Sequence, residues 1–228
     1  MLAPSSETPS FVISQTSVVT ADESARIFSS AGGFGRTRVA PRTTYGVARV
    51  QQEWGPPGST VAFTATGMHR ELAPGEPLAN LMARNAFTLS ADSLFRLKDG
   101  EYELQLYTGM TRVDGEAGAL DRVQRHSARY LQRPDADYVQ YDPLRTSMAG
   151  GKSGFLIERL SGRHWLWQAE GLFESPEYET TNLGRLNTGD GLKTLDAVAP
   201  SCQPTMTITP SYAAFDAAYN AINTGGSA

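Results

Sequence analysis

The clearest structural signal in the chain lies at residues 43–70, which read TTYGVARVQQEWGPPGSTVAFTATGMHR. From Thr60 to Thr66, the threonines share one parity, and Val, Phe and Ala residues occupy the other. A period of two is typical of a strand with one apolar and one polar face. Residues 43–54 form another run rich in Tyr, Val and Thr, and Gly55-Pro-Pro-Gly58 separates the two runs. Two strand-like runs joined by a short Gly/Pro break predict a β-hairpin.

Two further hairpins repeat this pattern. Their alternating runs cover residues 84–92, 101–106, 146–160 and 164–173. Lys98-Asp99-Gly100 supplies one turn signal and Ser161-Gly162 supplies the other. The turns inside hairpins are short, whereas the connections between hairpins are long. The sequence therefore predicts an all-β fold, an antiparallel meander of long hairpins.

The longest connection, residues 113–145, contains a helix signal. Apolar side chains recur there with helical spacing at Leu120, Val123, Tyr130 and Leu131. This spacing predicts one short amphipathic loop helix over residues 120–132. Arg133-Pro134 is expected to end it, because the residue before a proline avoids the helical region.

The length of the runs favours strands that cross a membrane. Each run has about a dozen residues, against a mean of ~5–6 for strands of globular proteins. A membrane-spanning strand needs ~9–11 residues, and barrels place short turns at one end and long loops at the other. Aromatic residues that could form an interface girdle lie near the short turns, at Trp54, Tyr102, Trp165 and Trp167. The pattern fits a partial or small outer-membrane-type β-barrel, but a soluble β-sandwich shows the same alternation, so both interpretations stay open.

The composition is that of an ordinary globular chain, with 228 residues, 40% hydrophobic residues and a formal net charge of -4. This charge argues against broad binding to nucleic acid. The single cysteine, Cys202, excludes an internal disulfide. No apolar run reaches the ~18 residues of a transmembrane helix, and residues 1–5 show no secretory signal. Because a barrel alternates lipid-facing and interior residues, average composition does not separate it from a soluble domain.

The central connection carries the most specific pattern in the chain. Residues 122–138 read RVQRHSARYLQRPDADY, and residues 141–147 read YDPLRTS. Supporting matches lie at residues 46–51, 59–61, 162–165, 175–176 and 182–185. With these motifs, residues 36–193 resemble the large domain of unknown function that follows a family-nine carbohydrate-binding-module-like domain in long bacterial outer-membrane proteins.

The resemblance implies a membrane-type β-barrel in the outer membrane, with a biochemical role that is not established. Members of that family are several times longer and carry a signal peptide and the carbohydrate-binding-like domain, so we expect this chain to be a fragment. The expected organisation is an irregular N-terminal segment over residues 1–42, a barrel-like domain over 43–193 and a divergent tail over 194–228. Within the first segment, residues 11–19 predict a short strand and residues 31–36 predict a loop.

Four arginines recur at spacings of three and four residues, at Arg122, Arg125, Arg129 and Arg133. On a helix they would form one positive stripe. Such a stripe in a long exposed loop could contact lipopolysaccharide phosphates or an acidic glycan. The alternative, which we favour, is a helix whose arginines pair with nearby aspartates and whose apolar side packs on the barrel.

The other candidate residues do not predict a metal or catalytic site. The three histidines, at His69, His126 and His164, lack the i, i+4 spacing of a helical metal site. The loop aspartates, at Asp135, Asp137, Asp142 and Asp190, lack the spacing of a calcium loop and are expected to be solvated or paired with Arg133 or Arg145. Glu101 and Glu103 would lie about 6.5–7 Å apart on a strand, which glycoside hydrolysis could use, but they adjoin a short turn.

The sequence therefore predicts a structural or pore-like protein that is not an enzyme and binds no cofactor or metal. The expected partners are outer-membrane lipid, the missing remainder of the barrel or a glycan, with no nucleic acid. The alternative function is a soluble carbohydrate-binding or carbohydrate-processing β-domain, which the domain association of the family and the rings of Trp165 and Trp167 favour.

Overall fold

The computed structural model describes residues 10–30, 32–55, 58–127, 129–134, 138–162 and 165–180, and the backbone of residues 191–200. Ten strands lie within these ranges: β1 (Ser10–Thr20), β2 (Glu23–Ser29), β3 (Gly33–Ala40), β4 (Thr43–Trp54), β5 (Ser59–Arg70), β6 (Asn85–Leu97), β7 (Tyr102–Asp114), β8 (Ser147–Arg159), β9 (Trp165–Glu174) and β10 (Gly191–Pro200). A short 3₁₀ turn covers Pro77–Asn80, and one helix, α1, covers Ala117–Gln124. No helix in the part of the chain that the structure describes is long and apolar enough to span a membrane.

Eight strands form one antiparallel sheet in the order β1-β4-β5-β6-β7-β8-β9-β10, and β2 and β3 pair separately as a hairpin. Within the described residues the sheet is open, with β1 and β10 at its two edges. The three long hairpins are confirmed, and their strands match the alternating runs of the sequence closely. The fold is therefore the predicted all-β antiparallel meander with a loop helix.

Turn chemistry explains where the first two hairpins reverse. Gly55 and Gly58 have φ of 76° and 71° in the β4–β5 turn, a conformation that favours glycine. Lys98, Asp99 and Gly100 all have positive φ in the β6–β7 turn. These residues bring the two strands of each hairpin into register from the turn outward.

The prediction that residues 1–42 are irregular is wrong for the part that is described. The expected strand over residues 11–19 is confirmed as β1, but the predicted loop over residues 31–36 is wrong beyond Gly32, because β3 begins at Gly33. Pairing with distant segments orders this region, since β1 pairs along its whole length with β4. In the β2–β3 hairpin, the rings of Phe28 and Phe34 are 5.1 Å apart.

The C-terminal boundary also differs from the expectation. β10 runs across the predicted boundary between residues 193 and 194, because its backbone pairs with β9 from Gly191 to Pro200. Residues 1–9 and 201–228, including Cys202, lie outside the described residues.

The loop helix is shorter than predicted and begins earlier. α1 ends at Gln124, and Tyr130 adopts a left-handed φ of 51°. The chain turns after α1 so that Leu131 reaches the same core as Leu120, with the Leu131 N–H donating to the Gln124 carbonyl at 2.9 Å. Tertiary packing therefore overrides the helical spacing that extended the prediction to residue 132.

The strand register separates the sheet into two chemically different faces. We call the side that carries Arg49, Thr64 and Asp92 the polar face, and the side that carries Val50, Phe63 and Ala91 the apolar face. The buried core does not lie on the apolar face. It lies at one end of the polar face, where the long connections are, and contains Met68, Ala83, Ala86, Val113, Ala119, Leu120, Leu131 and Met148.

Candidate functional site

The apolar face of the sheet is exposed across seven strands. Its exposed large side chains include Phe11, Ile13 and Val19 of β1, Trp54 of β4, Phe63 of β5, Phe87, Leu89 and Leu97 of β6, Leu106 and Met110 of β7, Phe155 of β8, and Trp165 and Phe173 of β9. Scattered apolar side chains are normal on a protein surface, but a continuous patch of this size marks a contact surface.

Aromatic rings border the apolar face at the end where the short turns lie. The rings of Trp54 and Phe95 are 6.1 Å apart, and those of Tyr102 and Trp167 are 6.2 Å apart. The Lys98 ammonium lies 5.1 Å from the centroid of the Tyr102 ring. The structure therefore brings the sequence-predicted aromatics Trp54, Tyr102, Trp165 and Trp167 to one end of one face, beside cationic groups that can extend into water.

Polar residues border the same face at the opposite end. These positions are Thr44, His69, Asn85, Asp114 and Ser147, one from each of the strands β4 to β8. The side chains of His69 and Asn85 share a hydrogen bond of 2.7 Å. The apolar face thus has an aromatic border at one end and a hydrogen-bonding border at the other.

The polar face carries ion pairs that cross from strand to strand. Arg49 binds Asp92 through two hydrogen bonds, of 2.7 and 2.8 Å, and also donates to the Thr64 hydroxyl. Lys152 pairs with Glu174 at 3.0 Å. Arg49, Asp92 and Lys152 remain partly exposed, whereas Glu174 is buried. Away from the core, water can therefore reach the polar face.

The two glutamates that were considered for catalysis are both held by arginines. Glu103 on the polar face pairs with Arg96 at 3.3 Å, and Glu101, just before β7, pairs with Arg159 at 2.7 Å. Glu103 lies directly opposite Glu158 of β8. The structure therefore assigns each glutamate to a different ion pair.

The predicted stripe of four arginines is not formed, because α1 ends before three of them. Arg122 lies in the last turn of α1 and is exposed, whereas Arg125 caps the helix and pairs with Asp121. Arg129 is buried with only 3% of its surface exposed. Arg133 donates to the Tyr138 hydroxyl at 2.9 Å. Among the described residues, the expected pairing with aspartate is confirmed for Arg125.

The expected apolar side of the helix is partly confirmed. Leu120 and Leu131 are buried in the core, and Val123 packs against it. Tyr130 is 49% exposed, so the prediction that it belongs to the apolar side of the helix is wrong.

Arg129 holds two distant segments together over the polar face. Its guanidinium donates to the carbonyls of Pro176 and Tyr178 and to the Glu179 carboxylate, at 3.1, 2.6 and 2.6 Å. The Glu179 N–H donates to the Thr111 hydroxyl at 2.9 Å. Burial lowers the pKa of Arg129 from its ordinary value, while the nearby Glu179 carboxylate opposes this change. We call the described residues of 115–146 and 175–180 the loop cap.

Two further features hold the loop cap in place, one within the cap and one against β8. The Gln124 side chain is buried, donating to the Asp142 carbonyl at 2.8 Å and accepting from the Asp142 N–H at 3.0 Å. Gly150 of β8 lies directly under residues 177 and 178, where an added Cβ would be 2.2 Å from the Tyr178 nitrogen. Sequence reasoning missed Gln124, Gly150 and Glu179, because their roles depend on partners distant in the chain.

The other sequence candidates remain dispersed. No group of three His, Cys, Asp or Glu side chains among the described residues is placed to hold a metal ion. Asp142 accepts a hydrogen bond from the Leu144 N–H at 2.9 Å, and Arg145 pairs with Glu177 rather than with an aspartate. His164, Asp135, Asp137 and Asp190 lie outside the described residues.

No protein-family model, curated protein or solved structure matches the chain. The resemblance of residues 36–193 to the outer-membrane family therefore stays a prediction.

Proposed function

We propose that the chain is part of an outer-membrane-type β-barrel with a structural or pore-like role and no catalytic chemistry of its own. In this proposal the apolar face contacts lipid acyl chains and the polar face lines an aqueous interior. The observation that carries the proposal is the exposed apolar face, which is bordered by aromatic rings at one end and by polar side chains at the other.

The dimensions of the apolar face support this assignment. On β6, the exposed positions run from Phe87 to Leu97, ten residue steps apart. At about 3.4 Å per residue this is about 34 Å along the strand. A strand tilted by about 40° would span about 26 Å of membrane, close to the ~25 Å apolar band of outer-membrane barrels.

The position of the core also favours contact of the apolar face with lipid over contact with water. A soluble one-sided sheet buries its apolar face against a second layer. Here the buried core lies on the polar face under the loop cap, while Phe63 on the apolar face is 56% exposed. Acyl chains would cover these side chains without a second protein layer.

The polar face and the two edge strands suggest contacts with water and with further strands of a barrel. Partly exposed pairs such as Arg49–Asp92 suit a water-filled interior. The edges at β1 and β10 leave backbone groups without strand partners in the described sheet. Unpaired edges are unfavourable in lipid, so we propose that the remainder of a barrel pairs with them. The family resemblance supports a location in the outer membrane.

Depth-dependent fluorescence quenching tests the orientation. The chain, with its three native tryptophans replaced by phenylalanine, would carry Phe63→Trp or Thr64→Trp and be folded into vesicles whose lipids are brominated near the centre of the acyl chains. Phe63 and Thr64 are adjacent but lie on opposite faces. We expect strong quenching for Phe63→Trp and weak quenching for Thr64→Trp. Equal quenching of the two variants, or a compact wild-type monomer that is soluble without detergent, would contradict the proposal.

A second candidate function is binding of a carbohydrate by a soluble β-domain. Trp165 is 54% exposed, and the rings of Trp167 and Tyr102 lie close together, a surface on which a sugar ring could stack. Binding on a glycan array that is lost in Trp167→Ala would support this function. Absence of binding to every glycan would contradict it.

A further inference from the structure

The β2–β3 hairpin pairs separately from the eight-stranded sheet and carries two arginines and two phenylalanines on one side. The register places Arg26 directly opposite Arg36 and Phe28 directly opposite Phe34, so the four residues share one face of the hairpin. The two phenylalanines are 68% and 77% exposed. We call these four residues the Arg–Phe face. It is separate from the apolar face of the main sheet, on which the proposed function rests.

The hairpin is rich in positive charge. Residues 24–39 contain three arginines and no acidic residue. Arg38, near the base of the hairpin, binds the carboxylates of Asp22 and Glu76. Glu23 also lies at the base, where it pairs with Ala40. The acidic groups of the described chain therefore serve the base of the hairpin and not its outer part.

The two outer arginines have no carboxylate partner in the described part of the chain. The Arg26 guanidinium lies 5.6 Å from the centroid of the Phe34 ring. The Arg36 side chain has no hydrogen bond, ion pair or ring contact to another described residue. Like charges directly opposite one another on paired strands are unfavourable. An acidic group beside Arg36 would relieve this repulsion, so the charge of the face favours an anionic partner.

The geometry of the hairpin favours a peptide over a sugar or a lipid. The rings of Phe28 and Phe34 are inclined by 58°, so they do not form a flat platform on which a sugar could stack. In the described chain, the outer edges of both strands have no strand partner. An extended peptide can pair with such free backbone groups, whereas acyl chains cannot. A two-stranded hairpin is also only marginally stable by itself and gains stability from a third strand.

We propose that an extended acidic segment of a partner protein adds a third strand to the hairpin beside β3. Backbone hydrogen bonds along the free edge of β3 provide affinity, and alternate side chains provide specificity. The edge is that of β3 because this strand carries Arg36 and the more exposed ring, Phe34. An acidic side chain of the partner faces Arg36, and an apolar side chain two residues away faces Phe34. Arginine and aromatic residues are enriched at the centres of protein interfaces.

Two synthetic peptides of equal composition test this pattern. In TETFTET the glutamates and the phenylalanine share one side of an extended strand, and the arrangement is the same in either strand direction. In TEFTTET the phenylalanine lies on the opposite side from the glutamates. Fluorescence anisotropy of each labelled peptide would be titrated with the full chain folded in a non-ionic detergent. We expect saturable binding of TETFTET that weakens as salt is added, and about tenfold weaker binding of TEFTTET.

A charge reversal on β3 tests the contact with Arg36. Arg36→Glu places a carboxylate directly opposite Arg26, so the hairpin should stay formed. We expect this variant to weaken the binding of TETFTET about tenfold or more. The matched control is Arg122→Glu, which makes the same change of charge at an exposed arginine in the last turn of α1 and should leave binding unchanged. Bound TETFTET should also slow the hydrogen exchange of β3 amides in the wild-type chain.

Absence of saturable peptide binding, equal affinity for the two peptides, or equal weakening by Arg36→Glu and Arg122→Glu would overturn the proposal. Micelles doped with phosphatidylglycerol and an acidic polysaccharide would be titrated in parallel. Binding of either one that is lost in Arg36→Glu, without peptide binding, would assign the face to a lipid or a glycan and would also overturn it. These outcomes are independent of the quenching test, because the hairpin lies outside the eight-stranded sheet.

Discussion

Arg129 and Glu179 form an ion pair of 2.6 Å in which the side chains are only 1% and 3% exposed. The pair joins positions that are 50 residues apart in the chain. The Arg129 guanidinium also binds two backbone carbonyls, at Pro176 and Tyr178. This one side chain therefore links the connection after α1 to the segment after β9 and keeps both on the polar face.

Removing Arg129 should detach the loop cap. In Arg129→Met the Glu179 carboxylate would stay buried without its partner, a change that typically destabilises by about 3–5 kcal/mol. Chemical unfolding and limited proteolysis of the cap would measure the loss. Arg125→Met is the matched control, because its pair with Asp121 is more exposed, and exposed pairs contribute about 1 kcal/mol or less. Equal effects of the two substitutions would show that the buried pair does not hold the cap.

Gly150 and Gly151 offer a comparison between neighbouring glycines. A Cβ at Gly150 would lie 2.2 Å from the Tyr178 nitrogen and 2.4 Å from the Glu177 carbonyl carbon, so residues 177 and 178 would have to move. At Gly151 the nearest atom would be 3.6 Å away, an ordinary contact. We expect Gly150→Ala to destabilise by about 1–3 kcal/mol, as overpacking does, and Gly151→Ala to have little effect. Thermal unfolding of both variants would measure this, and similar midpoints would contradict the close approach of the cap.

A charge on the apolar face should be poorly tolerated in lipid. Phe63 lies near the middle of the proposed band, so Phe63→Arg should destabilise the folded chain in vesicles by about 2–4 kcal/mol. Thr64→Arg, on the polar face, should be tolerated better. Equilibrium unfolding from phosphatidylcholine vesicles would compare them. If Thr64→Arg were the more damaging variant, the assignment of the two faces would be reversed.

The loop cap should loosen in acid. A hydrogen bond from the Tyr141 hydroxyl, assisted by Arg125, lowers the pKa of Asp121 below its ordinary value of 3.8. A carboxyl whose pKa is lower in the folded state stabilises it above the unfolded pKa, and this contribution is lost as the pH falls through the folded pKa. Hydrogen exchange of α1 should therefore accelerate below about pH 4. Asp121→Asn should reduce this acid response, and an unchanged response in that variant would contradict the role of Asp121.

The long hairpins could be predicted closely because their signal is local. In residues 43–70, the alternation of threonine with apolar side chains and the Gly/Pro break are both read within a few residues. The period of two also places the side chains of Phe63 and Thr64 on opposite faces of the strand, whatever its partner strands are. The position of Trp54, Tyr102, Trp165 and Trp167 at one end follows from the same alternation and from the short turns.

The N-terminal strands, the length of α1 and the loop cap could not be predicted in this way. β1 is ordered by pairing with β4, and Leu131 leaves the helical path because a core position formed by distant strands is available to it. The helical spacing of the four arginines indicated one positive stripe, but burial against Glu179 separates Arg129 from Arg122.

Local patterning thus determined the strands of the three hairpins, their two faces and the ends at which aromatic residues gather, because side-chain alternation and turn conformations depend on near neighbours. Tertiary structure alone decided that the core lies under the loop cap on the polar face, that Arg129 is buried and that Arg122 stays exposed. These outcomes depend on contacts between segments far apart in the chain, such as Arg129 with Glu179 and Gln124 with Asp142. Their stability comes from burial and hydrogen bonds that exist only after the sheet has formed.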